Sequence, residues 1–394
     1  MPEKHTQKHS HTAHYISASE AQAISLVKSG TDYFTRALDI INRSKEKLHL
    51  QAYIFIDDST GKQIIEALKK AVERGVKVFV LVDAFGSFAM SNEAIRNIKK
   101  SNINFRTFSP LFVSHRIRFG RRLHHKILVA DECEALVGGI NIEEKYHIKK
   151  NNNTPWLDYA VYIKGHTCTY LDYICEGLWK GRFYRRWKKH PHLKTEGQQS
   201  KVRLWIRRND WARKKDGISR SVRSALKHSD SSITIIGSYF LPGRRMRKLL
   251  KKAAERKVKI KLILQGTSDV SLVKKASDWW YTWLLRNNIE VYEWTETVLH
   301  GKLMLIDKHW VSIGSYNINH LSDYASIETN IEIHNPEFCH TVHEEMERVM
   351  KASKHITSSE NRLKMKPLEQ FSCWLSFHTV RILFWIQFLL LSKE

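Results

Sequence analysis

The sequence predicts an α/β fold of two similar lobes, each with a mixed, mostly parallel sheet flanked by helices and with a functional site at their junction. Three observations lead to this prediction. One residue pattern occurs twice, strands and helices alternate in the same order before each copy, and a helix–strand segment recurs at a similar separation. Such alternation is typical of parallel crossovers, in which helices cover both faces of a sheet.

The duplicated pattern reads H-x-K-x4-D-x6-G-[GS]-x-N. A single match could be accidental in a chain with 21 histidines, but two full-length matches indicate a duplicated functional motif. The first copy supplies His124, Lys126, Asp131, Gly138 and Asn141, and the second supplies His300, Lys302, Asp307, Gly314 and Asn317.

Each motif histidine precedes an apolar run that predicts a buried strand. Residues two apart on a strand share a face, so His124 points the same way as Lys126, and His300 the same way as Lys302. The two copies therefore bring two imidazoles and two ammonium groups to one pocket, which suits the oxygens of a phosphoryl group.

Two histidines whose pKa values lie near neutrality can divide the work on a phosphodiester, one as the nucleophile and the other as the acid. A lone histidine would more simply be a core residue with satisfied hydrogen bonds. The matched pair favours catalysis over that explanation.

The residues before the first motif predict alternating helices and strands. Apolar residues recur at helical spacing over about 17–45. The expected elements that follow are a strand over 48–56, a helix over 62–74 that stops at Gly75, a strand over 76–82 and a helix over 92–100.

The second half repeats this order, which indicates an internal duplication with two lobes facing each other. Segments 71–78 and 253–260 are similar, but Lys257 replaces Gly75, so the second helix is expected to end by another route. The expected elements are strand 231–238, helix 243–256, strand 258–265, helix 272–287 and strand 290–293.

The formal net charge of +25, from 65 Lys and Arg against 40 Asp and Glu, predicts an anionic partner. Nucleic acid and an anionic membrane both satisfy this condition. The five cysteines form no C-x-x-C pair, which argues for a reducing compartment and against a zinc site or disulfide framework. The chain opens with a polar, histidine-rich stretch and no signal peptide or membrane span is expected there.

Two basic stretches contain interleaved aromatic residues, one over 179–190 and one around Arg116, Arg118, Arg121 and Arg122. A solvated surface is the simple interpretation, but this mixture also suits an anionic bilayer surface or, less well, single-stranded nucleic acid. The apolar tail over 371–391 is interrupted by Arg381, so a membrane span is doubtful. Ser372, Ser376, Thr379 and Gln387 predict the polar face of an interfacial amphipathic helix, with docking on the protein's own core as the alternative.

These residues resemble the phospholipase D superfamily and, within it, the bacterial cardiolipin synthases. The resemblance covers roughly residues 20 to 350. Besides the two motifs, it rests on the segments Ala52-Tyr53-Ile54-Phe55, Asp83-Ala84-Phe85-Gly86-Ser87, Ser238-Tyr239-Phe240-Leu241-Pro242 and Ile313-Gly314-Ser315-Tyr316-Asn317. It implies a phosphohistidine on one motif histidine and protonation of the leaving group by the other, without metal or other cofactor.

The resemblance also implies the site residues. The implied catalytic residues are His124, Lys126, Asp131, His300, Lys302 and Asp307. The implied phosphate-binding residues are Lys126, Asn141, Lys302, Asn317 and Ser315, and Asp158 and Glu328 would orient the histidines. Gly139 departs from the serine that many members carry. Loss of that hydroxyl could weaken one phosphate contact, but Gly-Gly-Ile-Asn is common in cardiolipin synthases.

The expected function is cardiolipin synthesis from two phosphatidylglycerol molecules by a peripheral or monotopic enzyme of the bacterial cytoplasmic membrane. His124 is expected to attack and His300 to protonate, although the reverse order is open. Hydrolysis by a phospholipase D, phosphatidylserine synthesis and, less well, a nuclease are the alternatives. The expected segments are a disordered tail (1–16), lobes over 17–195 and 196–355, and a basic linker with a membrane-associating tail (356–394).

Overall fold

The computed structural model describes residues 19–110, 112–113, 116–117, 121–147, 154–181, 202–213, 215–357 and 367–391, and gives only backbone elements for 112–113, 116–117 and 384–391. The predicted His-rich tail, the basic stretch beyond residue 181, the side chains of Arg116 and Arg118 and most of the predicted basic linker lie outside the described residues.

The first half of the chain alternates strands and helices as expected. Its elements are β1 (Ser19–Ala21), β2 (Ala23–Lys28), α1 (Thr31–Arg43), β3 (Lys47–Ala52), α2 (Ser59–Glu73), β4 (Lys77–Asp83), α3 (Asn92–Lys100), β5 (Asn104–Phe108), β6 (Phe112–Val113), β7 (Arg116–Ile117), β8 (Arg122–Leu123), β9 (Lys126–Ala130), β10 (Glu134–Gly138), β11 (Tyr159–Lys164) and α4 (Thr167–Trp179). Seven of these strands form the N-terminal sheet, in the order β2-β11-β10-β9-β3-β4-β5.

The second half repeats the plan on a larger sheet. Its elements are β12 (Val202–Asp210), β13 (Lys215–Asp216), α5 (Gly217–Lys227), β14 (Ser232–Gly237), α6 (Arg244–Glu255), β15 (Lys259–Gln265), α7 (Ser271–Asp278), α8 (Tyr281–Arg286), β16 (Glu290–Trp294), β17 (Lys302–Ile306), β18 (Trp310–Gly314), α9 (His320–Tyr324), β19 (Ser326–Ile333), α10 (Pro336–Lys351), β20 (Lys354–Ile356) and α11 (Pro367–Leu391). The sheet order is β1-β12-β19-β18-β17-β14-β15-β16-β20, and β8 of the first half also pairs with β19.

The α/β class and the two-lobe plan are confirmed, but the expected predominance of parallel pairing is wrong. Within the N-terminal sheet, β3, β4 and β5 are parallel, whereas β2, β11, β10, β9 and β3 are joined by antiparallel pairs. The physical reason is the motif itself. A turn of only three residues joins β9 to β10, and so short a connection permits only antiparallel strands.

Two predicted helices differ from the structure. Residues 23–28 form β2, which pairs with β11, so the helix predicted over 17–45 begins only at Thr31, after Gly30 with φ 94°. The spacing of the apolar residues did not distinguish this strand from a helix, because its conformation depends on pairing with β11. The helix predicted over 272–287 is divided into α7 and α8 at Trp279 and Trp280, where Trp280 packs against Phe377 of α11.

Among the described residues, one large hydrophobic cluster lies inside each lobe, a third lies between the lobes, and a small fourth one includes Val380 of α11. On β9, Ile127 and Val129 face the cluster between the lobes, while Leu128 and Ala130 face the N-terminal core. The two faces of the strand are thus both buried, as expected for a central strand. The strands that carry the motifs therefore run along the lobe junction.

Helix α11 docks on the protein, and Ser376, which was predicted to lie on a polar outer face, is buried. Cys373, Ser376 and Val380 are buried, and the helix packs against α7. The outward side carries exposed apolar residues: Leu368, Phe371, Trp374, Leu375, Ile382 and Leu383. Among the described residues, no helix combines the length and apolarity that a membrane span requires.

The equivalent helices α2 and α6 end in the same way, contrary to the expectation for Lys257. Gly75 has φ 90° and Lys257 has φ 66°. In each copy this residue donates to the carbonyl three residues earlier, and the next residue donates to the carbonyl five residues earlier. Lys257 thus adopts the left-handed conformation that normally favours glycine.

Replacing Lys257 by glycine should stabilise the protein. A left-handed conformation costs a residue with a Cβ about 1–2 kcal/mol, and the greater freedom of glycine in the unfolded chain offsets part of this gain. We expect the free energy of unfolding of Lys257→Gly to rise by about 0.5–1 kcal/mol, measured from the urea midpoint. Gly75→Lys is the matched control and should lower stability, and a destabilised Lys257→Gly would contradict this account.

Candidate active site

The two motif histidines are held by main-chain hydrogen bonds that cross the lobe junction. The amide of His124 donates to the carbonyl of Ile327 (3.0 Å), and the amide of His300 donates to the carbonyl of Leu157 (2.7 Å). Each acceptor immediately precedes one of the predicted histidine-orienting carboxylates in the sequence. The backbone thus places each imidazole beside an acid of the opposite lobe.

The side chains complete this crossed arrangement. Nδ1 of His124 lies 2.9 Å from Oε2 of Glu328, and Nδ1 of His300 lies 2.5 Å from Oδ2 of Asp158. Both carboxyl groups are fully buried. A carboxylate at Nδ1 keeps a proton there and leaves Nε2 of each ring with its lone pair, which is the form needed to attack phosphorus.

Each carboxylate is fixed by further donors. Glu328 accepts from the hydroxyls of Ser315 (2.5 Å) and Ser322 (2.7 Å), while Asp158 accepts from the amide of Tyr159 (2.7 Å). A carboxylate with several fixed donors holds its histidine in one orientation.

Both predicted lysines are buried in the site. Nζ of Lys126 donates to the carbonyl of His124 (2.5 Å) and lies 5.3 Å from the ring centre of Tyr53. Nζ of Lys302 lies 2.8 Å from Nδ1 of His300 and 3.7 Å from Oδ2 of Asp158. Two ammonium groups in one buried pocket form a site for an anion.

Burial sets the charge state of these groups. It lowers the pKa of Lys126 to about 7, with a further contribution from the charge of Lys302, and it lowers the pKa of Lys302 to about 8. Burial and the nearby Lys302 ammonium lower the pKa of His300 to about 4, and burial also lowers the pKa of His124. A bound phosphodiester would favour the charged forms of all four groups.

The two motif asparagines are buried, and the protein engages part of each side chain. Asn141 accepts from the amide of Ile54 (3.2 Å) and donates to the hydroxyl of Tyr146 (3.1 Å). The side-chain oxygen of Asn317 accepts from the hydroxyl of Ser238 (2.8 Å). Each amide group keeps at least one N–H that these bonds do not use.

The motif aspartates are not part of the site, which contradicts the catalytic role expected for them. Asp131 accepts from the amides of Lys45, Glu46 and Lys47, at 2.8–2.9 Å. Asp307 likewise accepts from the amides of residues 230–232. Both follow the far ends of their motif strands in left-handed turn positions (φ 50° and 52°), so they tie the turn to a neighbouring strand.

The structure adds aromatic residues that motif reasoning did not assign to the site. The hydroxyl of Tyr146 lies 3.2 Å from Nδ1 of His300, and the rings of Trp156 and Tyr239 lie 6.3 and 6.0 Å from its imidazole. Tyr53 packs 4.9 Å from His124. Tyr53 follows β3 and Tyr239 follows β14, which are the equivalent strands of the two lobes. This equivalence could have identified both tyrosines from the sequence.

Comparisons with known proteins match both halves of the chain that carry a motif. A family described as "Cardiolipin synthase, PLD-like domain" matches residues 37–167 and 222–350, each of which contains one motif. Cardiolipin synthase B of Shigella flexneri is 33% identical over 340 residues, covering 84% of this chain and 81% of that protein. The cardiolipin synthase of Clostridium perfringens strain 13 is 28% identical over 350 residues, covering 85% and 71%.

The chain belongs to the cardiolipin synthase family. It is therefore an enzyme of the phospholipase D superfamily, as the motifs predicted. The fold is also similar to the crystal structure of phosphatidylserine synthase from Haemophilus influenzae Rd KW20, with a TM-score of 0.72, 14% identity and coverage of 93% and 95%. Within the described ranges, no cluster of three or more His, Cys, Asp or Glu side chains could hold a metal ion.

The roles expected for Gly139 and Ser315 in this cardiolipin synthase family member need correction. The Ser315 hydroxyl donates to Glu328 rather than facing a phosphate. A Cβ at Gly139 would lie 2.4 Å from Oδ1 of Asp158, closer than any real contact. The residue beside the carboxylate therefore differs between the two sites: Ser315 lies beside the longer Glu328, and Gly139 lies beside the shorter Asp158. Since Ser315 contacts Glu328, the glycine at position 139 removes no phosphate contact.

Gly139→Ser should displace Asp158 and deprive His300 of its acceptor. We expect kcat/KM on phosphatidylglycerol vesicles to fall about 10–100-fold, the usual cost of disturbing a group that orients a functional histidine. Ser315→Gly is the control, because Glu328 keeps its bond from Ser322, so its loss should be smaller. Full activity in Gly139→Ser would contradict the packing argument.

The lysine pKa values predict a loss of activity on the alkaline side. The cations bind phosphate only when protonated, and lowered pKa values mean that their charge is lost at lower pH than in an exposed lysine. We expect kcat/KM to decline as pH rises through about 7–8. Lys126→Arg retains its charge and should move this decline to higher pH, whatever its absolute rate. A profile of unchanged shape in Lys126→Arg would exclude Lys126 as its cause.

Proposed function

We propose that the protein makes cardiolipin from two phosphatidylglycerol molecules and releases glycerol. The observation that carries this proposal is the pair of imidazoles at the lobe junction, each oriented by a buried carboxylate of the other lobe and each accompanied by a buried lysine. The names of the curated relatives support cardiolipin as the product.

In the first step, Nε2 of His124 attacks the phosphorus of one phosphatidylglycerol. The bond from phosphorus to the headgroup glycerol breaks, and protonated His300 gives its proton to the departing oxygen. The phosphatidyl group is then held on His124 as a phosphohistidine. In the second step, a headgroup hydroxyl of another phosphatidylglycerol attacks this phosphorus, passes its proton to His300 and frees His124.

The unequal surroundings of the two rings support this division of roles. Burial and the Lys302 ammonium beside Nδ1 together lower the pKa of the His300 imidazole, which makes it the poorer nucleophile and, once protonated, the stronger acid. His124 is the more exposed of the two side chains (14% against 7%). Lys126, Lys302, Asn141 and Asn317 would hold the phosphate through both steps.

We also propose peripheral or monotopic attachment to the bacterial cytoplasmic membrane. The net charge of +25 favours an anionic surface, and α11 turns apolar side chains outward, including Leu368 (78% exposed) and Phe371 (55% exposed). A docked helix with an apolar outer side suits contact with lipid, which the substrates of this proposal require.

The products formed from labelled phosphatidylglycerol in vesicles test the reaction. Labelled cardiolipin together with free glycerol is the expected result, because the acceptor is a second lipid. Phosphatidic acid alone would instead assign the enzyme to hydrolysis, and a product formed only with added serine would assign it to phosphatidylserine synthesis. Cleavage of DNA without any lipid product would replace the proposal with a nuclease.

The roles of the two histidines can be distinguished by how the activity of each alanine variant depends on the leaving group of the substrate. A phosphatidyl ester of p-nitrophenol needs no protonation to depart, so His300→Ala should release nitrophenol far faster than it releases glycerol from phosphatidylglycerol. His124→Ala should be inactive on both, since it lacks the nucleophile. Rescue of His124→Ala instead of His300→Ala by this ester would reverse the assignment, and rescue of neither would remove the covalent scheme.

A further inference from the structure

A basic cleft lies outside the pair of histidines, between α11 and the loop that follows β14. It has a volume of about 400 Å³. Arg244 and Arg247 of α6 and Arg381 of α11 line it, with Trp280 and Phe377 as aromatic walls. Three guanidinium groups from two separate helices thus face one space.

The positive charge of this cleft is not balanced by the protein. None of the three arginines forms an ion pair with a carboxylate of the described residues. Arg247 donates to the carbonyl of Pro242 (2.7 Å), and its guanidinium lies 4.0 Å from the ring centre of Trp280. Burial and the charge of Arg244 both lower the pKa of Arg247, as expected beside uncompensated like charge. An anion would relieve this repulsion.

The cleft borders the active site through two short segments. The Ser238–Pro242 loop bonds to Asn317 on one side, and the amide of Leu241, which lines the cleft, donates to the carbonyl of Ile318 (2.9 Å). His320, three residues after the motif asparagine, also lines the cleft. Three chain steps span at most about 11 Å, so His320 on the wall of the cleft lies within that distance of Asn317, a proposed phosphate ligand.

The surroundings of Arg381 favour a lipid over a soluble anion. Ile382 and Leu383, next in the chain, are 53% and 52% exposed, and Trp374 is 40% exposed on the same helix. A headgroup phosphate in the cleft would therefore have apolar side chains beside it on which acyl chains could lie. A free phosphate ester would gain nothing from that apolar surface.

We propose that the cleft formed by Arg244, Arg247 and Arg381 binds the headgroup phosphate of an anionic phospholipid in the bilayer, separately from the phosphate held between the histidines. The bound lipid would fix α11 on the membrane and turn the lobe junction towards it. Binding is measurable without turnover, so this proposal is independent of the reaction proposed above.

The test compares two charge-matched triple variants of the full chain. In the cleft variant, Arg244, Arg247 and Arg381 are replaced by glutamine. In the control variant, the exposed Lys248, Lys252 and Lys275, which do not line the cleft, are replaced by glutamine. Affinity is measured by co-sedimentation with phosphatidylcholine vesicles that contain phosphatidylglycerol, and with vesicles of phosphatidylcholine alone.

The cleft variant should lose at least about tenfold in affinity for the phosphatidylglycerol vesicles and the control variant much less, with both alike on phosphatidylcholine. Thermal unfolding of both variants should match the wild type, which shows that folding is intact. Equal losses of vesicle affinity in the two variants would show that binding depends on general surface charge, which would contradict a specific site in the cleft.

Two competitors decide the identity of the ligand. Glycerol phosphate at constant ionic strength should not displace the wild type from vesicles, and displacement would assign the cleft to a soluble phosphate ester. Single-stranded DNA should bind the cleft and control variants equally, and selective loss of DNA binding in the cleft variant would assign it to nucleic acid. If no protein turns over lipid, the proposed reaction fails, yet the vesicle comparison still decides the proposal for the cleft.

Discussion

The site depends on one constraint: each motif histidine is bonded to a carboxylate of the opposite lobe. Glu328 of the second lobe holds His124, and Asp158 of the first holds His300. Neither lobe could orient its own histidine, so the active site exists only where the two sheets meet. The hydrophobic cluster between the lobes, to which Ile127 and Leu303 contribute, therefore supports catalysis as well as stability. A shift between the lobes would disturb both imidazoles together.

Burial gives this site its chemistry. Two lysines and two histidines share a pocket with two carboxylates, and removal from water lowers the pKa of each of these cations. With both imidazoles neutral, the two lysines and the two carboxylates balance. A proton on His300 adds one positive charge, and a phosphodiester would supply the negative charge that balances it. Burial of these cations costs the free protein stability. The same exclusion of water strengthens their electrostatic interaction with a phosphate in the transition state.

The duplication is followed closely in the backbone and less closely in the side chains. Both copies form a hairpin whose aspartate ties down a neighbouring strand, and α2 and α6 share one type of ending even though Lys257 replaces glycine. The carboxylate supports differ, with Gly139 beside Asp158 and Ser315 beside Glu328. Unequal surroundings suit a reaction in which the two histidines perform different steps.

The sequence by itself determined the duplication, the α/β class, the strands that carry the motifs and the shared face of each His–Lys pair, because these follow from residue spacing along a strand. It did not determine that β2 is a strand, that antiparallel pairs predominate, or that Ser376 of α11 is buried, since each depends on the partner it packs against. The roles of Asp131 and Ser315 and the crossing of Asp158 and Glu328 between lobes likewise required the tertiary structure. Spacing shows which side chains point together, but only folding brings residues about two hundred positions apart within hydrogen-bond distance.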